Sequence, residues 1–344
     1  MTTQDVHSAL TRQRVRRTLR GWSTFVGFFA IAIVLVFLSL SIGSLDVGVR
    51  DVLSLFDGGA KEDGASFAVM DIRAPRVALG FLTGASIALA GALLQTLSRN
   101  PLADPGLLGL SQGALVAVVL GIVFFPDFAQ SNRVALALCG SLCTGLLILT
   151  LVGRSRAFGL SIILMGIAVE TFLSAMTATA ILHTPPALSM QISSWLNGSL
   201  TLSDWTLFRQ YVPWALLTVT LIIFAGRPSR AYELGNDLAS SIGEPVEWRR
   251  PLLLLGAVAI SGAATATVGP LVFLGVLAPH LTNFLAQASG TLRLFLTAML
   301  GGNLVVAADL LTRLTVVNLP VNFTLVAIGV PLFVIALRLR ALRN

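Results

Sequence analysis

The sequence predicts an all-α protein that crosses a membrane ten times, and three observations carry that prediction. Ten apolar runs punctuate the chain, each of about 17 to 25 residues, the length a helix needs to cross roughly 30 Å of hydrocarbon. Of 344 residues, 55% are hydrophobic and 11% charged, whereas a water-soluble domain carries about 25% charged residues. The basic residues sit between the runs or near their ends, as membrane topology requires.

The first run, 22–43, follows a basic segment (1–21) holding Arg12, Arg14, Arg16, Arg17 and Arg20. It is long enough to span and lacks the small-residue cleavage pattern of a signal peptide. The second and third runs, 73–97 and 107–125, are separated by Arg99-Asn100-Pro101-Leu102-Ala103-Asp104-Pro105. Two prolines, an Asn and an Asp forbid a continuous helix there. Irregular backbone near a membrane is tolerated where it is buried in protein or lines an aqueous path. This loop is therefore expected to shape the inner end of a conduit, with Gln95 and Asn100 lining it.

The fourth run, 133–153, carries Cys139 and Cys143 on one helix face, read as packing residues rather than a disulfide or metal pair. The fifth, 159–183, contains Glu170 with Thr171, Ser174, Thr177 and Thr179. A carboxylate at membrane depth is costly and faces a cavity or a partner. Glu170, Thr171 and Ser174 are thus candidate pathway-lining residues, the alternative being a bond from Glu170 to a neighbouring helix.

After the sixth run, 208–226, Leu234, Leu238, Ala239 and Ile242 recur at helical spacing. Gly235 and Gly243 bracket them, and Glu244-Pro245 ends the segment. A short helix outside the membrane with one apolar face wants a groove on another protein. Its acidic residues Glu233, Asp237, Glu244 and Glu247 disfavour rest on an anionic leaflet. The seventh and eighth runs, 250–268 and 271–288, break at Gly269-Pro270 and could also read as one kinked segment. The ninth and tenth are 294–316 and 321–339.

An even number of spans puts both termini on one side. With both in the cytoplasm, 16 of the 23 basic residues lie inside and 7 outside (Arg50, Lys61, Arg73, Arg76, Arg133, Arg209, Arg313), as the positive-inside rule demands. The first outer loop is acidic, with Asp46, Asp51, Asp57, Glu62, Asp63 and Asp71. The whole chain, 1–344, reads as one transmembrane domain. Thr83-Gly84-Ala85…Gly91 in the second span resembles Ser261-Gly262-Ala263…Gly269 in the seventh. The seventh span is five on from the second, an odd offset that reverses direction through the membrane and predicts an inverted repeat of two five-helix halves; the alternative is a recurring small-residue packing seam.

Several chemistries are excluded or disfavoured. No basic stripe interleaved with aromatics points to nucleic acid. Lys61 is the sole lysine and precedes Glu62, so no phosphate-cradling Gly-x-x-x-x-Gly-Lys loop exists and ATP cannot be hydrolysed by that means here. The histidines, 7, 183 and 280, lack ligand spacing; His280 after Pro279 reads as structural. A secondary transporter powered by an ion gradient is the rival function, but it predicts more carboxylates at mid-membrane than Glu170 and Asp309. An intramembrane enzyme would need a catalytic pair that cannot be placed.

The chain from about residue 72 onward resembles the permeases of type II ABC importers, which carry iron-siderophores, haem and cobalamin. The resemblance rests on Arg73-x-Pro75-Arg76, Gly84-Ala85…Gly91-Ala92-x-x-Gln95, Arg99-Asn100-Pro101-Leu102-Ala103-Asp104-Pro105 and Gly109-x-Ser111-x-Gly113-Ala114. It continues through Gly269-Pro270-x-x-Phe273-x-Gly275, Pro279-His280, Ala308-Asp309-x-x-x-Arg313, Leu319-Pro320-Val321 and Gly329-x-Pro331-x-Phe333. It implies a bacterial inner-membrane protein in which two permease subunits, identical or homologous, enclose a central pathway. A separate pair of ATPase subunits would use ATP and Mg, and an extracytoplasmic binding protein would deliver cargo, with no cofactor on this chain. A short helix pair between spans six and seven would dock the ATPase, matching Leu234, Gly235, Leu238, Ala239, Ile242, Gly243 and Glu244. Outer arginines would pair with glutamates of the binding protein, with Arg73 and Arg313 at such positions and Arg76 assisting. The competing readings are snorkelling at a helix end for Arg73 and Arg76 and an internal pair with Asp309 for Arg313. Two departures stand out: Asn322 replaces the glycine usual after Leu-Pro-Val, and Glu170 replaces a small residue. Ferric siderophore is the expected cargo, with haem and cobalamin open.

Overall fold

The computed structural model describes residues 3–43, 48, 52, 63–152, 158–182, 197–286, 288–315 and 319–342. The acidic outer loop up to Glu62, Arg154, Arg156 and His183 lie outside them apart from positions 48 and 52. Every apolar run becomes a helix. They are α1 (Thr3–Ser41), α2 (Ala74–Ser98), α3 (Leu110–Phe124), α4 (Arg133–Val152), α5 (Phe158–Leu182) and α6 (Trp205–Leu234). A six-residue α7 (Asn236–Ser241) precedes α8 (Val246–Val268), α9 (Leu274–Ala286), α10 (Gly290–Leu314) and α11 (Val321–Ala341). Among the described residues, eight helices are long and apolar enough to cross a membrane, and α3 and α9 are shorter apolar helices.

Burial sorts these helices into an inner and an outer layer. The apolar window of α2 is 83% buried, that of α10 78% and that of α8 67%, against 11% for α1. α2 is the central rod, packed on α10, α8, α6 and α9. Small residues make this possible. A Cβ on Gly91 would lie 2.1 Å from the Gly275 carbonyl oxygen, so α2 and α9 touch backbone to backbone, the close approach that small residues permit between membrane helices. The matching glycine of the second stretch, Gly269, serves a different purpose, ending α8 with a φ of 81.

Helix ends depart from expectation where charge or proline masks periodicity. The second span is preceded without a break by Asp63–Phe67 and a π-helical stretch, Ala68–Arg73; Asp71 and Arg73 hid this extension. α6 continues through Pro213 and Pro228 to Leu234, where the sequence placed its end at 226. The Gly269-Pro270 break separates two helices, α8 and α9, rather than kinking one. Asn322 explains itself here: its Oδ1 accepts from Val272 N at 2.9 Å and pins that break to the start of α11.

Candidate functional site: an arginine cluster and a short exposed helix

At one end of the bundle, α2 begins, α10 ends and α1 ends side by side. Asp309, whose side chain is 2% exposed, lies between two guanidinium groups. Arg76 reaches Asp309 Oδ1 through Nη2 at 2.7 Å and Nε at 2.9 Å. Arg313, one turn after Asp309 on α10, reaches Oδ2 at 2.9 Å. Arg313 also donates to the Ser39 and Ile42 carbonyls at the end of α1, at 2.9 and 3.2 Å, and to Ser39 Oγ. Cations suit the exposed carbonyls of a helix C-terminus. Arg73 likewise donates to Leu40 O at 2.7 Å and is 4% exposed.

The three predicted arginines therefore gather in one place but turn partly inward. Arg73 binds the α1 terminus rather than facing out, because those carbonyls have no helical partners of their own. For Arg313 the internal pair with Asp309 is realised. Arg76 and Arg313 still line an open cavity of about 540 Å³, together with Asn197, Ser199, Thr201, Thr312 and Pro320. Two guanidinium groups against one carboxylate leave its wall cationic.

The loop after α2 is stiffened by its own polar groups. Gln95 Nε2 donates to Gly275 O at 3.1 Å, and Asn100 Oδ1 accepts from Leu102 N at 2.9 Å. Gln95 thus ties α2 to α9 and Asn100 closes a turn within the loop, and both side chains are half-buried. Asp104, buried, accepts from Gly106 N at 2.8 Å and from the backbone of Phe273 and Val276 at the start of α9. Burial pushes its carboxyl up to about 6, while these three backbone bonds pull the other way. Gly109 ends the loop against α5: a Cβ there would lie 3.0 Å from Glu170 Cα. Glu170 and Ser174 are half-buried, and Thr171 is exposed with its hydroxyl donating to Ile167 O.

At the opposite end, where α2 finishes, α7 stands between Gly235 (φ 104) and Gly243 (φ 85). Leu234, Leu238 and Ile242 are 56%, 57% and 65% exposed and form an uncovered apolar stripe. Ala239 is not part of it; it is fully buried beneath α7, since position 239 faces the helix bundle one residue round from 238. Between Leu234 and Val246, where a short helix pair was expected, the described residues hold one helix, α7. Glu244 is an internal brace, accepting from Arg249 Nη1 at 2.8 and 2.9 Å and from the Tyr232 hydroxyl at 3.4 Å. His280 packs on Phe333, ring centroids 4.9 Å apart, as a structural residue would.

The sequence reading missed three contacts that hold these ends together. Asp309 as partner of Arg76 is separated from it by 233 residues. Arg250 donates to Leu97 O at 2.6 Å, and Arg293 bridges Thr96 Oγ1 and Glu233. Only the presence of Arg and Asp at apolar-run ends signalled that such pairs had to exist.

A multi-pass helical bundle with a cationic cavity at one end and a short exposed helix at the other has the build of a membrane transport protein. Residues 31–339 match the FecCD transport family, and the chain belongs to it. It is 32% identical over 316 residues to the iron(3+)-hydroxamate import system permease protein FhuG of Bacillus subtilis, covering 89% of this chain and 94% of that one. It is also 32% identical over 316 residues to the ferric enterobactin transport system permease protein FepD of Escherichia coli, covering 91% and 94%. A solved structure described as an inward-facing metal-chelate type ABC transporter superposes with a TM-score of 0.80 at 22% identity, over 92% of this chain and 99% of that one. This last likeness is one of fold. The chain is thus a permease of the ABC importer class, and ATP hydrolysis belongs to a separate subunit.

Proposed function

We propose that this chain carries a ferric siderophore from an extracytoplasmic binding protein into the bacterial cytoplasm, driven by an ATPase pair docked on α7. The observation that carries the reading is the set of bare side chains around α7: Leu238 on the helix, Ile242 at its C-cap and Leu234 at the end of α6. Burying one such side chain is worth about 1.5–3 kcal/mol, so a bare stripe calls for a partner. The relatives' cargoes, ferric hydroxamate and ferric enterobactin, support an iron complex. Haem and cobalamin remain within the resemblance.

In this reading ten helices cross the inner membrane as two inverted halves, both termini are cytoplasmic, and a second permease, identical or homologous, completes the conduit. Glu170, Thr171 and Ser174 line the pathway on α5, which leaves much of its surface uncovered. The cationic cavity at Arg76 and Arg313 receives carboxylates of the binding protein, and charged rims of this kind steer and register a partner. ATP and Mg are used by the ATPase, with no cofactor on this chain. The test is co-purification: Leu238→Asp with Ile242→Asp should release the ATPase from an otherwise folded permease. Retention of the ATPase with normal coupled hydrolysis would remove this surface from the account.

A further inference from the structure

We propose that Arg250 and Arg293 are positioning residues that fasten the docking segment to the end of α2, so that movement of α7 is passed through the α2–α3 loop to α5. The proposal rests on α7 being the ATPase docking helix and adds what lies behind it.

The end of α2 is held from three sides. Arg250, near the start of α8 and 9% exposed, donates through Nη2 to Leu97 O at 2.6 Å. Arg293, near the start of α10, donates to Thr96 Oγ1 at 2.5 Å and pairs with Glu233 of α6 at 3.0 Å. Arg99, which caps α2 in a left-handed conformation (φ 54), lays its guanidinium over the α6–α7 hinge: a Cβ on Gly235 would lie 3.3 Å from its Nη1. Left-handed backbone is unfavourable for a residue with a side chain, so surrounding contacts must hold Arg99 there. Each arginine thus joins an element flanking α7 to the last turn of α2.

Beyond Arg99 the chain cannot absorb a displacement by bending. The Asn100 side chain and the Asp104 carboxylate close turns on the loop's own N–H groups, and Asp104 ties it to the start of α9. The loop then meets α5 backbone to backbone at Gly109 and Glu170. Close-packed contacts transmit displacement because cores and interfaces shift between discrete arrangements rather than deforming smoothly. Among the described residues of α7, by contrast, only the small Ala239 is buried. The polar clamp is what fixes the direction of motion.

The test uses the full chain assembled with its ATPase in lipid nanodiscs. Cys139 and Cys143, both exposed, are replaced by Ser, and spin labels are placed at Leu164→Cys on α5 and Phe295→Cys on α10, both exposed. The inter-label distance is measured without nucleotide and after trapping with ADP and vanadate. The original clamp should give a nucleotide-dependent shift, and Arg250→Gln should cut the shifted population about tenfold, the scale of losing one charge-assisted hydrogen bond, while the ATPase stays bound. Arg250→Lys, which can still donate to Leu97 O, should restore much of it. Should Arg250→Gln fail to assemble, Glu233→Gln, whose side chain is 39% exposed, breaks the α6–α10 half of the clamp and should reduce the shift in the same direction. An undiminished shift in assembled Arg250→Gln or Glu233→Gln, or no movement of α5 with the clamp intact, overturns the proposal. Release of the ATPase by Leu238→Asp with Ile242→Asp is scored separately, so failure of the docking site and failure of the clamp are told apart.

Discussion

Arg76 and Asp309 stand 233 residues apart in the chain and 2.7 Å apart in space, and with Arg313 they join the start of α2 to the end of α10 around one buried carboxylate. Removing the shared partner of a buried ionic group leaves uncompensated charge at a cost of about 3–5 kcal/mol. Asp309→Asn should therefore lower the unfolding midpoint strongly, whereas Arg76→Gln, which leaves the Arg313 pair in place, should cost less. Thermal melts of both variants in nanodiscs decide the order, and equal losses would mean that Asp309 is not the hub.

The rim assignment has its own signature. Arg313→Gln should weaken docking of the binding protein, by roughly 1 kcal/mol or a few-fold in affinity at low ionic strength. The difference between variant and parent should shrink as salt is added. Titrations at two salt concentrations read this directly; a salt-independent difference would point to altered folding instead.

Neighbouring positions on α7 should respond oppositely. Leu238→Ala removes an exposed side chain and should leave stability within about 0.5 kcal/mol while weakening ATPase binding. Ala239→Leu forces bulk into a fully buried site and should destabilise by about 1–3 kcal/mol. Parallel melts and pull-downs separate the two effects.

Asp104 predicts a pH dependence with a definite sign. Its folded carboxyl sits at about 6 against an ordinary value of 3.8. The folded state therefore holds a proton between those values that the unfolded chain has released. Stability from this group is fully present below about pH 4 and falls as pH rises through 6, by roughly 3 kcal/mol in total. Asp104→Asn should remove that slope, so the midpoint difference between parent and variant should change across pH 4 to 7. A difference that stays constant would assign the slope to other groups.

Much of this architecture was legible because membrane crossing imposes one dominant pattern. Each apolar run from 22–43 to 321–339 became a helix, and Gly269-Pro270 marked a true break. The α6 end was misread because Pro228 stops helices in water, whereas this bundle accommodates it, with Ser229 beside it donating to Ala225 O at 2.7 Å. Of the arginine cluster, the pair between Arg313 and Asp309 was legible as an i,i+4 alternative, but nothing in local spacing revealed that Arg73 and Arg313 also donate to carbonyls at the end of α1. Gln95 and Asn100 were legible as polar groups near the loop, but polarity gave no sign of their bonds to Gly275 of α9 and to Leu102.

The central claim is that this bundle conducts an iron complex only when a separate ATPase drives it. Liposomes containing the chain with its ATPase and binding protein, loaded with ATP, should accumulate radio-iron supplied as a ferric siderophore, and omission of ATP should abolish uptake. Accumulation by the chain alone, driven by a proton or sodium gradient, would contradict the account.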